Sequence, residues 1–277
     1  MKFRYLGTAA AEGFPAMFCD CEYCKEARKR KGKNIRTRSQ SIIDKDLLID
    51  FPADTYMHAI NGELEMFKVK YLLLTHEHSD HFYPEELNIR GRWFAPTLKQ
   101  KITIVGSSVV YEKYLKFTDQ MSQGVRDLID FKVVNAFEKF ALGDYEIVAL
   151  PARHGSMTGF IYHIEKGGKK ILYAHDTGYL LDSVLEWIKN NGVRYDFISL
   201  DCTNVEIPIA DESFHMGLDN NVRLKTKMQE MGAIDEKTIV YVNHFSHNAN
   251  PLHEELCEKA GKHGLQVAYD GLEIAIE

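Results

Sequence analysis

The stretch KYLLLTHEHSDHF, Lys70–Phe82, places three histidines and an aspartate directly after a run of apolar residues. The apolar run is typical of a buried strand. If the strand continues through His76 and His78, both side chains point the same way, because residues two apart lie on one face. Asp80 and His81 would follow where the chain turns and would face a second position nearby. Imidazoles and carboxylates are ligands of zinc, manganese and iron, so the stretch predicts a metal site.

Three later apolar runs end in the same kind of residue. EIVALPAR precedes His154, KKILYAH precedes Asp176, and TIVYVN precedes His244. Because ligands of α/β folds bind outside the carboxyl ends of strands, we expect these side chains to meet the first stretch at one point. The histidines that stand singly are expected to have structural roles only: His58, His163, His175, His253 and His263.

The bulk composition indicates a folded protein with a sizeable core. The chain has 277 residues, 45% of them hydrophobic and 11% aromatic. Its formal net charge of -6 argues against a protein that binds nucleic acid through bulk charge. No apolar run approaches the roughly 20 residues of a membrane span, and the start MKFRYLGTAA is typical of a strand rather than a signal peptide. We therefore expect a cytoplasmic protein without a membrane partner.

Apolar β-branched runs alternate with helical patterns along the chain, without a long linker. This alternation is typical of an α/β fold in which helices cover layered sheets, and it predicts a single domain over residues 1–277. Local signals add detail. They predict a hairpin turn at Gly167–Gly168, a helix starting near Pro84, a helix stop at Gly192 and a helix cap at Asp219.

Three of the five cysteines lie within CDCEYC, residues 19–24. In a reducing compartment, such a tight cluster is more often a metal site than a disulfide framework. Two cysteines one residue apart would also strain a disulfide badly. The motif therefore predicts a metal-binding loop near the N-terminus, whereas Cys202 and Cys257 stand alone.

The motif HEHSDH, followed in order by His154, Asp176 and His244, resembles the metallo-β-lactamase superfamily of hydrolases over nearly the whole chain. The resemblance implies a four-layer αββα sandwich in the α/β class. It also implies a metal-dependent hydrolase with two divalent cations (zinc, manganese or iron) in the active site. Some branches carry cysteine at the position of Asp176. The aspartate here resembles the ligand pattern of the phosphodiesterase, lactonase and thiolesterase branches.

The resemblance also assigns the metal ligands. The first cation would be held by His76, His78 and His154, and the second by Asp80, His81 and His244. Asp176 would bridge the two cations. Asp50, at the end of LLID, matches a carboxylate that orients a ligand histidine in the family.

CDCEYC, taken together with the later NHFSH, resembles one branch of the superfamily, the phosphoribosyl 1,2-cyclic phosphate phosphodiesterases. In that branch His215, within SFHMGLD, would be a general acid, since an imidazole can protonate a leaving alkoxide at neutral pH. Asp80 would help to orient a hydroxide that bridges the cations. The implied substrate is a small cyclic or ribose-linked phosphodiester, and the implied assembly is a homodimer. The implied ligands of a structural zinc are Cys19, Cys21, Cys24 and His247.

Three alternative functions stay open at this point. A tRNA 3′-end processing ribonuclease shares the ligand set, but it needs an RNA-gripping arm that this sequence does not show. A lactone or thioester hydrolase is the second alternative, and a non-hydrolytic metal protein of oxidoreductase or pyrroloquinoline-quinone type is the third. The basic run Lys25–Arg38 is typical of a solvated helix face, with Arg36 and Arg38 as undecided candidates for phosphate binding.

Overall fold

A computed structural model describes residues 1–156 and 158–277. In this part of the chain, fourteen strands form two sheets of seven. The strands are β1 Lys2–Gly7, β2 Gln40–Ile43, β3 Leu47–Ile49, β4 Tyr71–Leu73, β5 Ile102–Gly106, β6 Ile129–Val133, β7 Lys139–Leu142, β8 Tyr145–Pro151, β9 Phe160–Lys166, β10 Lys169–Ala174, β11 Phe197–Asp201, β12 Ile239–Asn243, β13 Gln266–Val267 and β14 Glu273–Ala275. The α-helices are α1 Glu22–Arg30, α2 Thr55–Ile60, α3 Ser108–Thr118, α4 Gln123–Arg126, α5 Asp182–Asn190, α6 Leu218–Glu230 and α7 His253–Gly261.

Each sheet combines an antiparallel part with a parallel part. The first sheet has the order β14-β1-β2-β3-β4-β5-β6, with parallel pairing from β3 to β6. The second has the order β13-β12-β11-β10-β9-β8-β7, with parallel pairing from β10 to β13. Parallel strands place their carboxyl ends at one edge, and this is where both sheets present the predicted ligands.

The two sheets pack face to face, and helices cover their outer faces. Side chains alternate along each strand, so Phe197 of β11 points into the core between the sheets while Ile198 and Leu200 point outward. The outer core of the second sheet includes residues of α5, α6 and α7, and that of the first includes residues of α3 and α4. This arrangement is the predicted four-layer αββα sandwich. Among the described residues, no helix has the length and apolar character needed to cross a bilayer.

The local turn predictions are confirmed in part. Gly167 and Gly168 form the turn between β9 and β10, and Gly192 follows α5 with a φ of +58°. Pro84 starts a 3₁₀-helix, Pro84–Arg90, rather than an α-helix. The prediction that Asp219 caps α6 is wrong, because the cap is Gly217 and its N–H is satisfied by Asn220 Oδ1 at 2.9 Å. Asp219 lies within the first turn, where its charge favours the helix dipole.

The inner core predicts a large difference between two phenylalanine truncations. Phe3 is fully buried, and its ring centroid lies 4.8 Å from that of Tyr5 and 4.9 Å from that of Phe197. Phe3→Ala is expected to lower the free energy of unfolding by about 3–5 kcal/mol, because it leaves a cavity between the sheets. The exposed Phe67 gives the control, and Phe67→Ala is expected to change stability by about 0.5 kcal/mol or less. Urea unfolding measures both, and equal losses would contradict the assignment of Phe3 to the core.

Candidate active site

The residues of the opening motif lie in a loop beyond β4. The strand ends at Leu73, so the expectation that His76 and His78 continue it is wrong. The loop turns back tightly, since the N–H groups of His81 and Phe82 both donate to the carbonyl of His78, at 3.0 and 2.8 Å. The histidines nevertheless face one site, because this turn brings the two halves of the motif together.

One predicted ligand group lies at the mouth of the site. His76, His78, His154 and Asp176 each offer a ligand atom, and these atoms lie within 4.8 Å of one another. His76 Nε2 is 2.9 Å from His78 Nδ1 and 3.2 Å from Asp176 Oδ2. His76 and His78 follow β4 of the first sheet, whereas His154 and Asp176 follow β8 and β10 of the second, so the group joins both sheets.

The other predicted group lies deeper. Asp80, His81, Asp176 and His244 also have their ligand atoms within 4.8 Å of one another. His81 Nε2 is 3.3 Å from Asp80 Oδ2 and 3.1 Å from Asp176 Oδ2, and His244 Nε2 is 3.7 Å from the latter oxygen. Asp176 is therefore common to both groups, as the bridging assignment requires.

The donor atoms of these groups fit two divalent cations. Four of their buried atoms have no hydrogen-bond partner within the described part of the chain: His81 Nε2, His154 Nδ1, Asp176 Oδ1 and His244 Nε2. Buried polar atoms are rarely left without a partner, so such a set around one carboxylate points to a missing positive charge. Nitrogen and carboxylate oxygen are ligands that zinc, manganese and iron accept.

The pKa shifts of Asp176 and His81 also indicate that the site favours positive charge. Burial works against the ionised form of Asp176, but the surrounding histidines, His244 first among them, hold the pKa of its carboxyl well below the usual range. Burial likewise opposes a charge on His81, yet Asp50 and Asp80 raise the pKa of its ring well above the usual value. Divalent cations at these positions would supply the positive charge that the carboxylates attract.

Three non-glycine residues at the strand ends have positive φ values. These are Asp50 at +65°, Asp176 at +52° and His244 at +62°. Such left-handed conformations cost roughly 1–3 kcal/mol each and persist where the surroundings determine them fully. Each turns the chain sharply at the carboxyl edge of a sheet, which aims the side chain into the site.

Buried groups hold the ligand histidines from behind. Asp50 Oδ2 lies 2.7 Å from His81 Nδ1, and Asp50 Oδ1 accepts hydrogen bonds from the N–H and hydroxyl of Thr75, both at 2.9 Å. The predicted contact between Asp50 and a ligand histidine is thus present. On the opposite side, Thr203 Oγ1 lies 2.8 Å from His244 Nδ1. Both contacts leave Nε2 of each ring facing the cation positions.

Asp201 is a site residue that the sequence analysis missed. It ends β11 and is fully buried, and its carboxylate accepts hydrogen bonds from the N–H groups of Thr203 and Met216. Its Oδ2 lies 3.2 Å from His244 Nδ1 and 3.3 Å from His215 Nδ1. The signal was available, since YDFISLD ends in a ligand-type residue like the other strands.

His215 lies beside the predicted bridging residue. Its Nδ1 is 3.2 Å from Asp176 Oδ1 as well as 3.3 Å from Asp201 Oδ2. Burial alone would lower the pKa of His215, but the hydrogen bond and charge of Asp201, with the charge of Asp176, raise it to about 9. The carboxylates of Asp201 and Asp176 therefore favour the protonated form of His215.

The N-terminal cysteines meet the predicted histidine. The ligand atoms of Cys19, Cys21, Cys24 and His247 lie within 4.8 Å of one another, with His247 Nδ1 3.6 Å from Cys24 Sγ and 3.9 Å from Cys21 Sγ. Burial opposes ionisation of Cys21, but N–H donation from Cys24 and the contact with His247 lower the pKa of its thiol to about 6. Three sulfurs and one imidazole at this spacing fit a tetrahedral zinc.

Neither undecided arginine faces the site as a free cation. Arg36 is only 2% exposed, and its guanidinium donates to Thr8 Oγ1 at 2.9 Å and to the carbonyl of Ala268 at 2.6 Å. Arg38 donates to the carbonyl of Ala11 and pairs with Asp54 at 3.2 Å. Both side chains therefore fasten segments of the fold.

A family model described as the Beta-lactamase superfamily domain matches residues 50–244, which is more than half of the chain. The chain belongs to the beta-lactamase superfamily. This membership confirms the predicted superfamily and, with it, the predicted class of a metal-dependent hydrolase. No curated protein shows significant sequence similarity to the chain.

Several solved structures share the fold. A diphosphatase from the PhnP family superposes with a TM-score of 0.74 at 22% identity, over 99% of this chain and 96% of that chain. Zn²⁺-bound PqqB from Methylobacterium extorquens gives 0.72 at 18% identity, over 99% and 100%. The short form of human tRNase Z, ELAC1, gives 0.66 at 15% identity, over the full length of both chains. At these identities the likeness establishes the four-layer fold.

The contacts of Asp50 generate a stability prediction. Asp50→Ala leaves the N–H of Thr75 and Nδ1 of His81 without an acceptor in a fully buried position. The free energy of unfolding of the metal-free protein should therefore fall by about 3 kcal/mol. The matched control is Asp130→Ala, which removes an exposed ion pair with Lys101 and should cost about 1 kcal/mol or less. Urea unfolding of chelated samples measures both, and similar small losses would show that Asp50 does not hold the loop.

Proposed function

We propose that the chain hydrolyses small cyclic or ribose-linked phosphodiesters with the help of two divalent cations. The observation that carries the proposal is the pair of ligand groups that share Asp176, with His215 placed beside the shared carboxylate. His76, His78 and His154 would complete the first cation site, and Asp80, His81 and His244 the second. When bound, two such cations activate a water molecule and stabilise charge on phosphoryl oxygens.

Two residues of the chain would act on the reacting atoms directly. Asp80 would be a ligand of the second cation, and its carboxylate would accept a hydrogen bond from the attacking water and so orient it. His215 has one ring nitrogen against Asp201, which leaves Nε2 for the departing sugar oxygen. Donation of the Nε2 proton would prevent the release of an unstable alkoxide.

We also propose that Cys19, Cys21, Cys24 and His247 hold a structural zinc. His247 lies three residues beyond His244, so a closed site here would fasten the N-terminal loop to the segment that carries an active-site ligand. The thiols need a reducing environment to stay free for a metal, and this favours the cytoplasm.

A small substrate fits the charge of the chain better than RNA. The net charge of -6 would repel a polyanion, whereas one phosphodiester needs only the cations of the site. The diphosphatase of the PhnP family and tRNase Z have this fold, so the fold itself admits both small and large substrates. We also propose that the chain forms a homodimer, which a measurement of its mass in solution would test.

The general-acid role of His215 is tested by the leaving group. His215→Ala should lower kcat by about 100-fold for a cyclic ribose phosphate, whose alkoxide needs a proton. The loss should be much smaller for bis(p-nitrophenyl) phosphate, because p-nitrophenolate departs without one. His263→Ala, at an exposed histidine outside the site, is the control and should leave both rates unchanged. Equal rates for His215→Ala and the native protein on both substrates would refute the general-acid role, and failure of the native protein to hydrolyse either substrate would favour a lactone or thioester hydrolase instead.

The structural zinc is tested by counting metals. The native protein should hold three cations per chain, and Cys21→Ser should hold two while retaining the active-site pair. Cys257→Ser removes an exposed thiol outside the cluster and should still hold three. Elemental analysis after gel filtration provides the count, and three cations in Cys21→Ser would refute the proposed ligand set.

A further inference from the structure

We propose that Phe214 forms a stacking surface for a planar aromatic ring of the substrate, such as a nucleobase or an aryl group. The inference rests on the proposed phosphodiesterase function and specifies the substrate class further. Phe214 directly precedes His215, so a ring stacked on it would lie next to the proposed proton donor.

The ring lies at the mouth of the site and remains open to solvent. Phe214 is 55% exposed, although it is a large apolar side chain. Its centroid lies 6.3 Å from that of His154, with an angle of 67° between the ring planes. His154 is in turn 5.3 Å from His215, centroid to centroid. Phe214 therefore lies beside a proposed ligand while more than half of its surface stays exposed.

The backbone on both sides of Phe214 is fixed. A Cβ at Gly178 would lie only 1.8 Å from the carbonyl oxygen of Ser213, so the chain before Phe214 packs closely on the turn that carries Asp176. After it, the N–H of Met216 donates to Asp201 at 2.9 Å. An exposed aromatic residue between two such anchors is held ready for a partner, which lowers the entropic cost of binding.

The loop that carries His154 packs beside one part of the ring. A Cβ at Gly155 would come within 3.9 Å of two ring carbons of Phe214, which is ordinary contact distance, so this side of the ring is already covered. A ring of the substrate would therefore stack on the solvent-exposed part of Phe214. Stacking on an aromatic side chain strengthens the binding of a base. Replacing the side chain by alanine should therefore weaken binding of the base by about tenfold.

The test compares substrates with and without an aromatic ring. Phe214→Ala should raise KM for adenosine 2′,3′-cyclic phosphate, and this increase should be about ten times the increase in KM for a base-free ribose cyclic phosphate. Phe214→Tyr should restore the native preference, whereas Phe214→Leu should not, because leucine offers bulk without an aromatic face. Phe67→Ala removes a similarly exposed ring near the amino end of β4, and it should leave the preference unchanged. A larger loss for bis(p-nitrophenyl) phosphate than for the adenosine compound would identify an aryl group rather than a base.

A binding measurement separates failure of this inference from failure of the proposed function. Calorimetry on the metal-loaded protein should show that Phe214→Ala weakens the binding of AMP about tenfold more than the binding of ribose 5-phosphate. If the native protein hydrolyses phosphodiesters but the variant weakens ringed and ringless compounds equally, the stacking surface is refuted while the proposed function stands. If none of the phosphodiesters is hydrolysed, the proposed function fails. AMP selectivity that depends on Phe214 would then still support an aromatic site.

Discussion

The site depends on the charge of one buried carboxylate. Asp176 is 4% exposed, and removing a carboxylate from water costs several kcal/mol unless positive charge surrounds it. The groups that surround it come from both sheets, His76 and His81 from the first and His154 and His244 from the second. The charge of Asp176 can therefore be balanced only when the sandwich is assembled, and this makes the catalytic centre also a joint between the two halves of the fold.

The sequence predicts much of the site because strand ends and metal ligands leave separate chemical signals. An apolar run marks the strand, and a histidine or aspartate directly after it marks the carboxyl edge. His154, Asp176 and His244 could be placed together for this reason. The local path of the opening motif could not be read in the same way. Thr75 forms hydrogen bonds with Asp50 instead of continuing β4, so the histidines leave the strand in a turn.

Other features depend on tertiary contacts that a single sequence does not display. Arg36 belongs to a basic run typical of solvated helices, yet it is buried because Thr8 and Ala268, distant in sequence, supply acceptors. Asp219 has the chemistry of a helix cap, but the N–H of Leu218 donates to the carbonyl of Val205 at 2.6 Å and sets the helix start at Gly217. The exposure of Phe214 likewise follows from the anchors around it rather than from its own residue type.

The contacts of the N-terminal loop would couple the two proposed metal sites thermodynamically. Glu12 accepts hydrogen bonds from the hydroxyl of Ser246 at 2.5 Å and from the N–H of His247 at 3.2 Å, and the N–H of Phe245 donates to the carbonyl of Thr8. A cation bound by the thiols would thus also restrain the residues next to His244 and reduce the disorder that metal binding at the proposed active site must remove. Reciprocity would then require the active-site cations to strengthen binding of the cation at the cysteines by the same factor, so the proposed cations would load cooperatively.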